Sequence, residues 1–226
     1  MDPQSFDPFA ERYAYMAALE HDPGFFLRNL PAQRRRALEI GCGAGALARE
    51  LARRFDEVIA IDVSEPMLAL ARSDSAETNL VFLRMDANSI VLSGPFDFIA
   101  SHTTLHHLAE IPKTLRTLRG LTAPGGRIAI VDAVSERPAI PKWHFAAGAL
   151  LTPPRDCLRH GPVAALRLLR FRLSRPWLAH LASDRYLSAA RCRELLGAAL
   201  PAARFELVGP FLGMLWDAPA ETDRAR

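Results

Sequence analysis

The sequence has few cysteines and no long apolar run. Its three cysteines, Cys42, Cys157 and Cys192, are far apart, so neither a disulfide framework nor a zinc-binding cysteine pattern is present. No apolar stretch approaches about 18 residues, so we expect no membrane-spanning helix. The first residues also lack the basic start and the apolar run of a signal peptide. These absences predict a protein of the reducing cytoplasm.

Lysine is nearly absent as well. Lys113 and Lys142 are the only two, so almost all the basic residues are arginine. The net charge is +3. No basic stripe with interleaved aromatic residues is present, and we expect no nucleic-acid partner. The arginines between residues 155 and 175 leave two interpretations open: a solvated helix face, or peripheral contact with an anionic membrane surface or an acidic carrier.

From residue 36 onwards, short apolar strands alternate with helical segments. Apolar strands are typical of a parallel sheet with both faces covered, and the alternation predicts a doubly wound α/β fold. The last two strands, 204–208 and 211–216, are joined by Gly209-Pro210 and must be antiparallel, because a parallel pair needs a long crossover. We predict a Rossmann-like seven-stranded sheet with an antiparallel last strand, helices on both faces and a helical cap inserted after strand 5.

The length suits one domain over residues 1–226. Four parts of it are predicted: an N-terminal helical segment (1–35), a cofactor-binding core (36–134), the helical cap (138–187), and a helix with the terminal hairpin (188–217). The oligomeric state stays open.

The strongest local signal is the glycine loop Gly41-Cys42-Gly43-Ala44-Gly45, between a strand and a helix. Glycines let the backbone turn tightly and approach a ligand. Asp62 ends the second strand 21 positions after Gly41, where a ribose-binding carboxylate belongs. Each feature has an alternative explanation: the loop could only pack the helix on the strand, and Asp62 could only cap a helix. The glycine loop and Asp62 together, at this spacing, predict a nucleotide site.

The spacing of the glycines indicates which nucleotide binds. A dinucleotide loop reads G-x-G-x-x-G around a pyrophosphate, whereas this loop reads G-x-G-x-G. The acid Glu39 precedes it, and an acid suits a cationic ligand better than a pyrophosphate. S-adenosylmethionine (SAM) has no phosphate and carries an ammonium and a sulfonium. A nicotinamide-dependent oxidoreductase is therefore disfavoured.

Five parts of the chain resemble the motifs of class I SAM-dependent methyltransferases, most closely small-molecule enzymes of the ubiquinone and menaquinone biosynthesis type. They are Leu38–Gly45, Asp62–Met67, Met85–Ala87, Phe96–His102 with Leu105–Leu108, and Leu118–Val131. The resemblance covers residues 36–134 strongly and the final hairpin moderately. The Asn/Asp-Pro-Pro-Tyr tetrapeptide of many nucleic-acid methyltransferases is absent after the fourth strand, where Ser101-His102-Thr103-Thr104 stands instead.

The resemblance implies SAM as cofactor and a role for each matching residue. The glycine loop would hold the methionine part, Asp62 the ribose hydroxyls, and Met67, Asp86 and Ala87 the adenine. Tyr13 would lie over the cofactor, with simple helix packing left open. The full predicted cofactor set is Tyr13, Glu39, Gly41, Cys42, Gly43, Gly45, Asp62, Val63, Met67, Asp86, Ala87 and His102.

Methyl transfer is a direct displacement that depends on alignment and needs at most one general base. Histidine is the natural base near neutral pH, and the predicted catalytic candidates are His106, His107 and His144. His180, Asp184 and Tyr186 are further candidates, and structural packing stays an alternative for each histidine. No metal is expected, because no convincing carboxylate or thiol completes a site with His102 and His106. Cys42 has no evident base beside it and is not expected to be a nucleophile.

The predicted function is methyl transfer from SAM to an O, N or C atom of an apolar or aromatic small molecule, and the predicted acceptor is a specialised metabolite. A lipid-like quinone precursor as acceptor, or a non-catalytic SAM-binding protein, is the alternative. Aromatic residues of 1–30 and 138–187, Trp143 and His144 among them, are expected to wall the acceptor pocket.

Overall fold

The computed structural model describes residues 6–137 and 139–220. The two ends of the predicted domain, 1–5 and 221–226, and residue 138, where the predicted cap begins, lie outside the described residues. Seven strands form one sheet: β1 (Arg36–Ile40), β2 (Glu57–Asp62), β3 (Leu80–Arg84), β4 (Phe96–His102), β5 (Thr122–Ala133), β6 (Arg204–Val208) and β7 (Phe211–Asp217).

The strand order is β3-β2-β1-β4-β5-β7-β6. Strands β1 to β5 pair in parallel, and β7 is antiparallel to both of its neighbours. The short Gly209-Pro210 connection permits only this arrangement of β6 and β7. The predicted seven-stranded sheet and its antiparallel last strand are confirmed.

Helices cover both faces of the sheet. On β5, Ile128 and Ile130 belong to one buried cluster, while Ala129 and Val131 belong to another, because successive strand side chains point to opposite faces. Each large apolar side chain buried in this way stabilises the fold by about 1.5–3 kcal/mol. Outside the cap, whose helices α6 to α8 are given below, the α-helices are α1 (Ala10–Glu20), α2 (Gly24–Arg28), α3 (Ala46–Ala52), α4 (Glu65–Ser73), α5 (Ile111–Leu121) and α9 (Ala189–Ala199).

The strand order reverses between β1 and β4. From β1 the chain passes through α3 to β2 on one side, and from β4 through α5 to β5 on the other. In open α/β sheets, ligands bind beyond the carboxyl ends of the strands at such a switch point. Ile40 and His102 end the two strands here, so the fold places the glycine loop beside the segment that follows β4.

The cap follows β5 and consists of α6 (Lys142–Leu150), α7 (Pro153–Arg172) and α8 (Arg175–Ser183). Helix α7 is broken at Gly161, whose φ is 80°, just before Pro162. The cap packs on the N-terminal segment through Phe9, Met16, Leu168, Phe171 and Trp177. Among the described helices, none is long and apolar enough to cross a membrane.

A buried ion pair also ties the cap together. The guanidinium of Arg172 donates to the carboxylate of Asp156, whose side chain is 2% exposed. It also donates to Glu20 of α1 at 2.6 Å. This pair joins the start and the end of α7 and links them to the N-terminal segment.

Candidate active site

A cleft opens at the carboxyl ends of β1, β2 and β4. Its empty volume is about 790 Å³, which includes the part open to solvent. Its walls come from the glycine loop, the ends of β2 and β4, the segment after β3, and the N-terminal segment. Nine of the twelve predicted cofactor residues line it: Tyr13, Gly41, Gly43, Asp62, Val63, Met67, Asp86, Ala87 and His102.

The glycine loop is fixed by the neighbouring strand. The backbone N–H groups of Gly41 and Cys42 both donate to the carbonyl oxygen of Ile61, at 2.8 and 3.0 Å. Gly41 has a φ of +71°, and a Cβ there would lie 2.1 Å from Oγ1 of Thr104. Only glycine fits this position, because it tolerates a positive φ and leaves room for the segment after β4.

Asp62 is held by the backbone around it. Its Oδ2 accepts a hydrogen bond from the Gly43 N–H at 2.8 Å, and its Oδ1 accepts one from the Ser64 N–H at 2.9 Å. Burial raises the pKa of Asp62, and these backbone hydrogen bonds oppose that rise. A carboxylate offers about four acceptor positions, so a carboxylate oriented in this way can still accept from ribose hydroxyls.

Glu39 lies beneath the loop rather than in the wall of the cleft. It is 3% exposed, and its Oε2 has no hydrogen-bond partner among residues 6–137 and 139–220. Burial raises the pKa of Glu39 well above its usual value, and the negative charge of Asp62 adds to the rise. A buried, unpartnered carboxylate oxygen next to the loop fits a ligand that brings a positive charge, as the ammonium of SAM does.

The far side of the cleft suits a purine ring. Met67 is 3% exposed and presents its Cε methyl next to Gly43. Asp86 accepts hydrogen bonds on Oδ1 from the backbone and the side-chain amide of Asn88, both at 2.8 Å. These bonds fix the carboxylate at the cleft and leave Oδ2 as an acceptor for an exocyclic amine.

The opposite end of the cleft has aromatic walls. The rings of Phe6 and Tyr13 lie 4.8 Å apart, and those of Phe6 and His107 lie 5.6 Å apart. Burial and the charge of Asp62 together raise the pKa of Tyr13 to about 12. Thr103 has a φ of 52°, unusual for a residue that is not glycine, and it is held by a hydrogen bond from its N–H to the Val131 carbonyl at 2.7 Å.

Two imidazoles follow β4 on a 3-10 helix (Leu105–His107), with ring centroids 3.9 Å apart. His107 lines the cleft, whereas His106 lies behind it with Nδ1 2.5 Å from Oδ1 of Asp132. Burial and the charges of the neighbouring His106 and His180 together lower the pKa of His107 to about 3. Burial also acts to lower the pKa of His106, but the hydrogen bond and charge of Asp132 outweigh it and the net shift is upward.

The segment after α8 completes this polar region. Asp184 Oδ1 lies 3.7 Å from His107 Nδ1, and Asp184 Oδ2 lies 4.0 Å from His106 Nε2. The hydroxyl of Tyr186 donates to Asp184 Oδ2 at 3.1 Å. Burial raises the pKa of Asp184 to about 6. The core and the cap therefore both contribute ionisable groups next to His107.

Several predicted site residues lie elsewhere. His144 is exposed on α6 and contacts Trp143, which is 68% exposed, so the expectation that both border the cleft is corrected. His106 stands behind His107 instead of in the wall. Cys42 packs in a buried cluster with Ala48 and Leu68. Gly45 is not among the residues that line the cleft; a Cβ there would approach the Phe82 ring to 2.8 Å, so the missing side chain makes room for that ring.

The structure also brings in residues that the predicted site set omitted. Thr103 and Thr104 line the cleft. The sequence could have indicated this, because both residues directly follow β4. Phe6 lines it as well, although it was counted only among the aromatics of the N-terminal segment. Asp132 contacts His106 from the end of β5; an acid ending a buried strand was the only indication, and nothing in the local sequence linked it to a histidine.

Comparison with known proteins agrees with this geometry. Residues 38–130 match the family described as "Methyltransferase domain". An uncharacterized methyltransferase of Mycobacterium bovis is 35% identical over 111 residues, 49% of this chain and 56% of that protein. A ubiquinone biosynthesis O-methyltransferase of a Caulobacter species is 36% identical over 100 residues, 42% of this chain and 40% of that protein. A solved complex of DhpI with S-adenosylhomocysteine (SAH) has a TM-score of 0.65 at 19% identity, covering 97% of both chains.

The sheet order, the glycine loop and the acid at the end of β2 define a class I SAM-dependent methyltransferase fold. Residues 38–130 match the methyltransferase-domain family, and these matches support SAM as the cofactor. The predicted family, fold and cofactor are thereby confirmed. The matched region spans about half the length of the curated relatives, so their acceptors are not carried over.

Proposed function

We propose that this chain transfers the methyl group of SAM to a small molecule that enters the cleft beside Phe6, Tyr13 and His107. The observation that carries this proposal is the continuity of the cleft. One end has the glycine loop and carboxylates suited to the cofactor, and the other has aromatic walls with a few polar groups. A small-molecule site typically has such a composition.

Bound SAM supplies an electrophilic methyl group on its sulfonium. The chain itself aligns the acceptor with that methyl group and excludes water from the cleft. In a direct displacement, this alignment and exclusion supply most of the catalysis. Gly41, Gly43 and Asp62 position the cofactor in this proposal. His107 is the catalytic candidate that meets the acceptor, and its predicted role as general base stays a prediction.

The aromatic walls favour an apolar or aromatic acceptor. Phe6 and Tyr13 border the cleft, and Trp177 packs behind Tyr13 with the ring centroids 5.6 Å apart. We propose a specialised metabolite methylated on O, N or C. A lipid-like quinone precursor is a second candidate, favoured by the outer surface of the cap.

That outer surface is both apolar and basic. Six large apolar side chains of the cap are exposed. Exposed Leu and Trp side chains among Lys and Arg are typical of a surface that lies on anionic lipid. Residues 139–183 contain seven Lys and Arg and a single acid, Asp156, which is buried and paired. We propose peripheral contact with an anionic membrane through these side chains: Trp143, Leu150, Leu151, Leu158, Val163 and Leu166.

The proposed activity is tested by incubating the chain with methyl-deuterated SAM and a small-molecule extract, followed by mass spectrometry of the labelled products. We expect a labelled apolar product. His107→Asn should lower turnover about 10²-fold, the lower end for loss of a positioned catalytic group, and leave SAH affinity unchanged. The matched control, His144→Asn, alters an exposed histidine outside the cleft and should behave as the unmodified chain. SAH binding without any labelled product would favour a non-catalytic SAM-binding protein.

A further inference from the structure

Three potential metal ligands converge at the junction of core and cap. Ligand atoms of His106, His107 and Asp184 all lie within 4.8 Å of one another. The two measured nitrogen–oxygen separations, 3.7 and 4.0 Å, are too long for hydrogen bonds. Around a tetrahedral ion with bonds of about 2.0–2.2 Å, neighbouring ligand atoms lie about 3.4 Å apart. Small side-chain movements would bring these atoms into such a shell.

Asp184 provides an independent indication of a ligand. It is 4% exposed, and its Oδ1 has no hydrogen-bond partner in the part of the chain that the structure describes. Its other oxygen accepts from Tyr186. An unpaired buried carboxylate oxygen is costly, so Oδ1 needs a proton, a water molecule or a cation, and it lies 3.7 Å from Nδ1 of His107.

The contact between His106 and Asp132 is what a metal-binding histidine requires. Asp132 accepts from Nδ1 of His106 at 2.5 Å and from its backbone N–H at 3.1 Å. A histidine that donates from one ring nitrogen to a carboxylate has its other nitrogen fixed as the metal ligand. That other nitrogen, Nε2, is the one that faces Asp184. The two carboxylates, Asp132 and Asp184, also balance the charge of a divalent ion.

We propose that His106 Nε2, His107 Nδ1 and Asp184 Oδ1 bind one divalent transition-metal ion of the zinc type. Two imidazoles and one carboxylate suit Zn²⁺, Fe²⁺ or Co²⁺, whereas Mg²⁺ and Ca²⁺ prefer oxygen ligands. Three protein ligands leave one coordination position open. The inference goes beyond the proposed function and does not depend on it, since SAM need not bind for the ion to bind.

Binding of an ion at this location would have two consequences. Asp184 belongs to the predicted cap and the histidines to the core, so the ion links the two. His107 also lines the cleft, so the open position lies at the acceptor end, where an ion can polarise an oxygen of the acceptor. A His107 that binds the ion would then be a metal ligand instead of the predicted general base.

Zinc binding to the tag-free chain tests the proposal. After treatment with a chelator, the protein is titrated with Zn²⁺ and with Mg²⁺ by calorimetry, and its metal content is measured after dialysis. We expect one Zn²⁺ per chain and no Mg²⁺ binding at the same concentrations. Asp184→Asn should abolish stoichiometric binding, and Asp132→Asn should weaken it about 10–100-fold, as loss of a carboxylate behind a ligand does. His144→Asn should bind as the unmodified chain.

Equal zinc affinity in the unmodified chain and in Asp184→Asn would overturn the proposal, as would the absence of a stoichiometric ion. His107→Gln provides a second ligand variant, and circular dichroism of the metal-free proteins establishes that each variant is folded. SAH titrations on the same samples separate the two proposals. A chain that binds SAH but no Zn²⁺ keeps its proposed function and loses the metal site, whose place a buried water would then take.

Discussion

The core and the cap differ in how they present charge and apolar surface. Residues 139–187 contain eight Lys and Arg against two Asp, whereas the rest of the chain has 20 basic and 23 acidic residues. The core buries the apolar side chains of its central strands β1 and β4 and keeps acids at the cofactor end of the cleft. The cap leaves large apolar side chains exposed. The acids of the core suit a cationic cofactor, whereas the basic and exposed apolar side chains of the cap suit the proposed contact with an anionic membrane.

The largest expected effect separates the stability of the cap from the function of the core. Arg172→Met leaves Asp156 with only the half-exposed Arg155 as a charged partner, and breaking a buried ion pair costs about 3–5 kcal/mol. We expect that loss in the free energy of unfolding, with unchanged SAH affinity below the melting transition. Arg170→Met, at an exposed position of the same helix, should stay within about 0.5 kcal/mol.

The pH dependence of this pair has a defined sign. Burial acts to raise the pKa of Asp156, but hydrogen bonds from Arg172 and Arg155 outweigh it and the net pKa is lowered. A lowered folded-state pKa contributes stability above the unfolded value, and that stability is lost as the pH falls through the folded pKa. The deficit of Arg172→Met, measured by urea unfolding, should therefore shrink on acidification. A constant deficit would show that packing and not charge is responsible.

A pair of glycine substitutions sharpens the account of the core. Gly41 and Gly125 both have a φ of +71°, but a Cβ would clash with Thr104 only at Gly41; nothing lies within 4 Å at Gly125. Both alanine variants incur about 1 kcal/mol for the left-handed conformation. Gly41→Ala should in addition weaken SAH binding by more than about 2 kcal/mol, because a loop that the cofactor needs is displaced. Equal SAH affinities in the two variants would mean that the loop is not the binding element.

The smallest effect concerns the outer surface of the cap. Leu151 and Leu158 are 81% and 89% exposed, and inserting a leucine side chain into lipid is worth about 1.5–3 kcal/mol. Replacing both with serine should reduce co-sedimentation with anionic vesicles, and added salt should reduce it further. The control is Leu207→Ser, an exposed leucine outside the cap. Vesicle binding that is absent or unaffected by the cap variant would leave the apolar surface as an ordinary solvated face.

The sequence predicted the core well because its signals are local. Gly41 and Asp62 follow consecutive strands, and parallel strands bring their carboxyl ends to one edge of the sheet. The acid at the end of β2 and the loop after β1 are therefore neighbours in any fold of this class. The same argument identified Asp86 and His102, which follow the next strands and line the cleft.

The rest could not be read from the sequence because it depends on contacts between distant residues. Asp184 meets His107 only through the packing of the cap, and the kink at Gly161 alters the course of α7. His144 was chosen for its residue type, but its helix turns it towards solvent. Gly45 was assigned to the ligand although its missing side chain makes room for Phe82. Residue type and spacing do not reveal which face of a helix is buried in a cap of this kind.

The central claim, that the cleft at the carboxyl ends of β1 and β2 is a SAM site, is tested most directly by calorimetric titration with SAH and with NAD. We expect SAH to bind and to stabilise the fold by about 2.7 kcal/mol at a hundredfold excess over its Kd, with no binding of NAD. Asp62→Asn should lose about 1.5–3 kcal/mol of SAH affinity, the range for a hydrogen bond to a charged group. Binding of NAD without binding of SAH, or an unchanged SAH affinity in Asp62→Asn, would contradict the account.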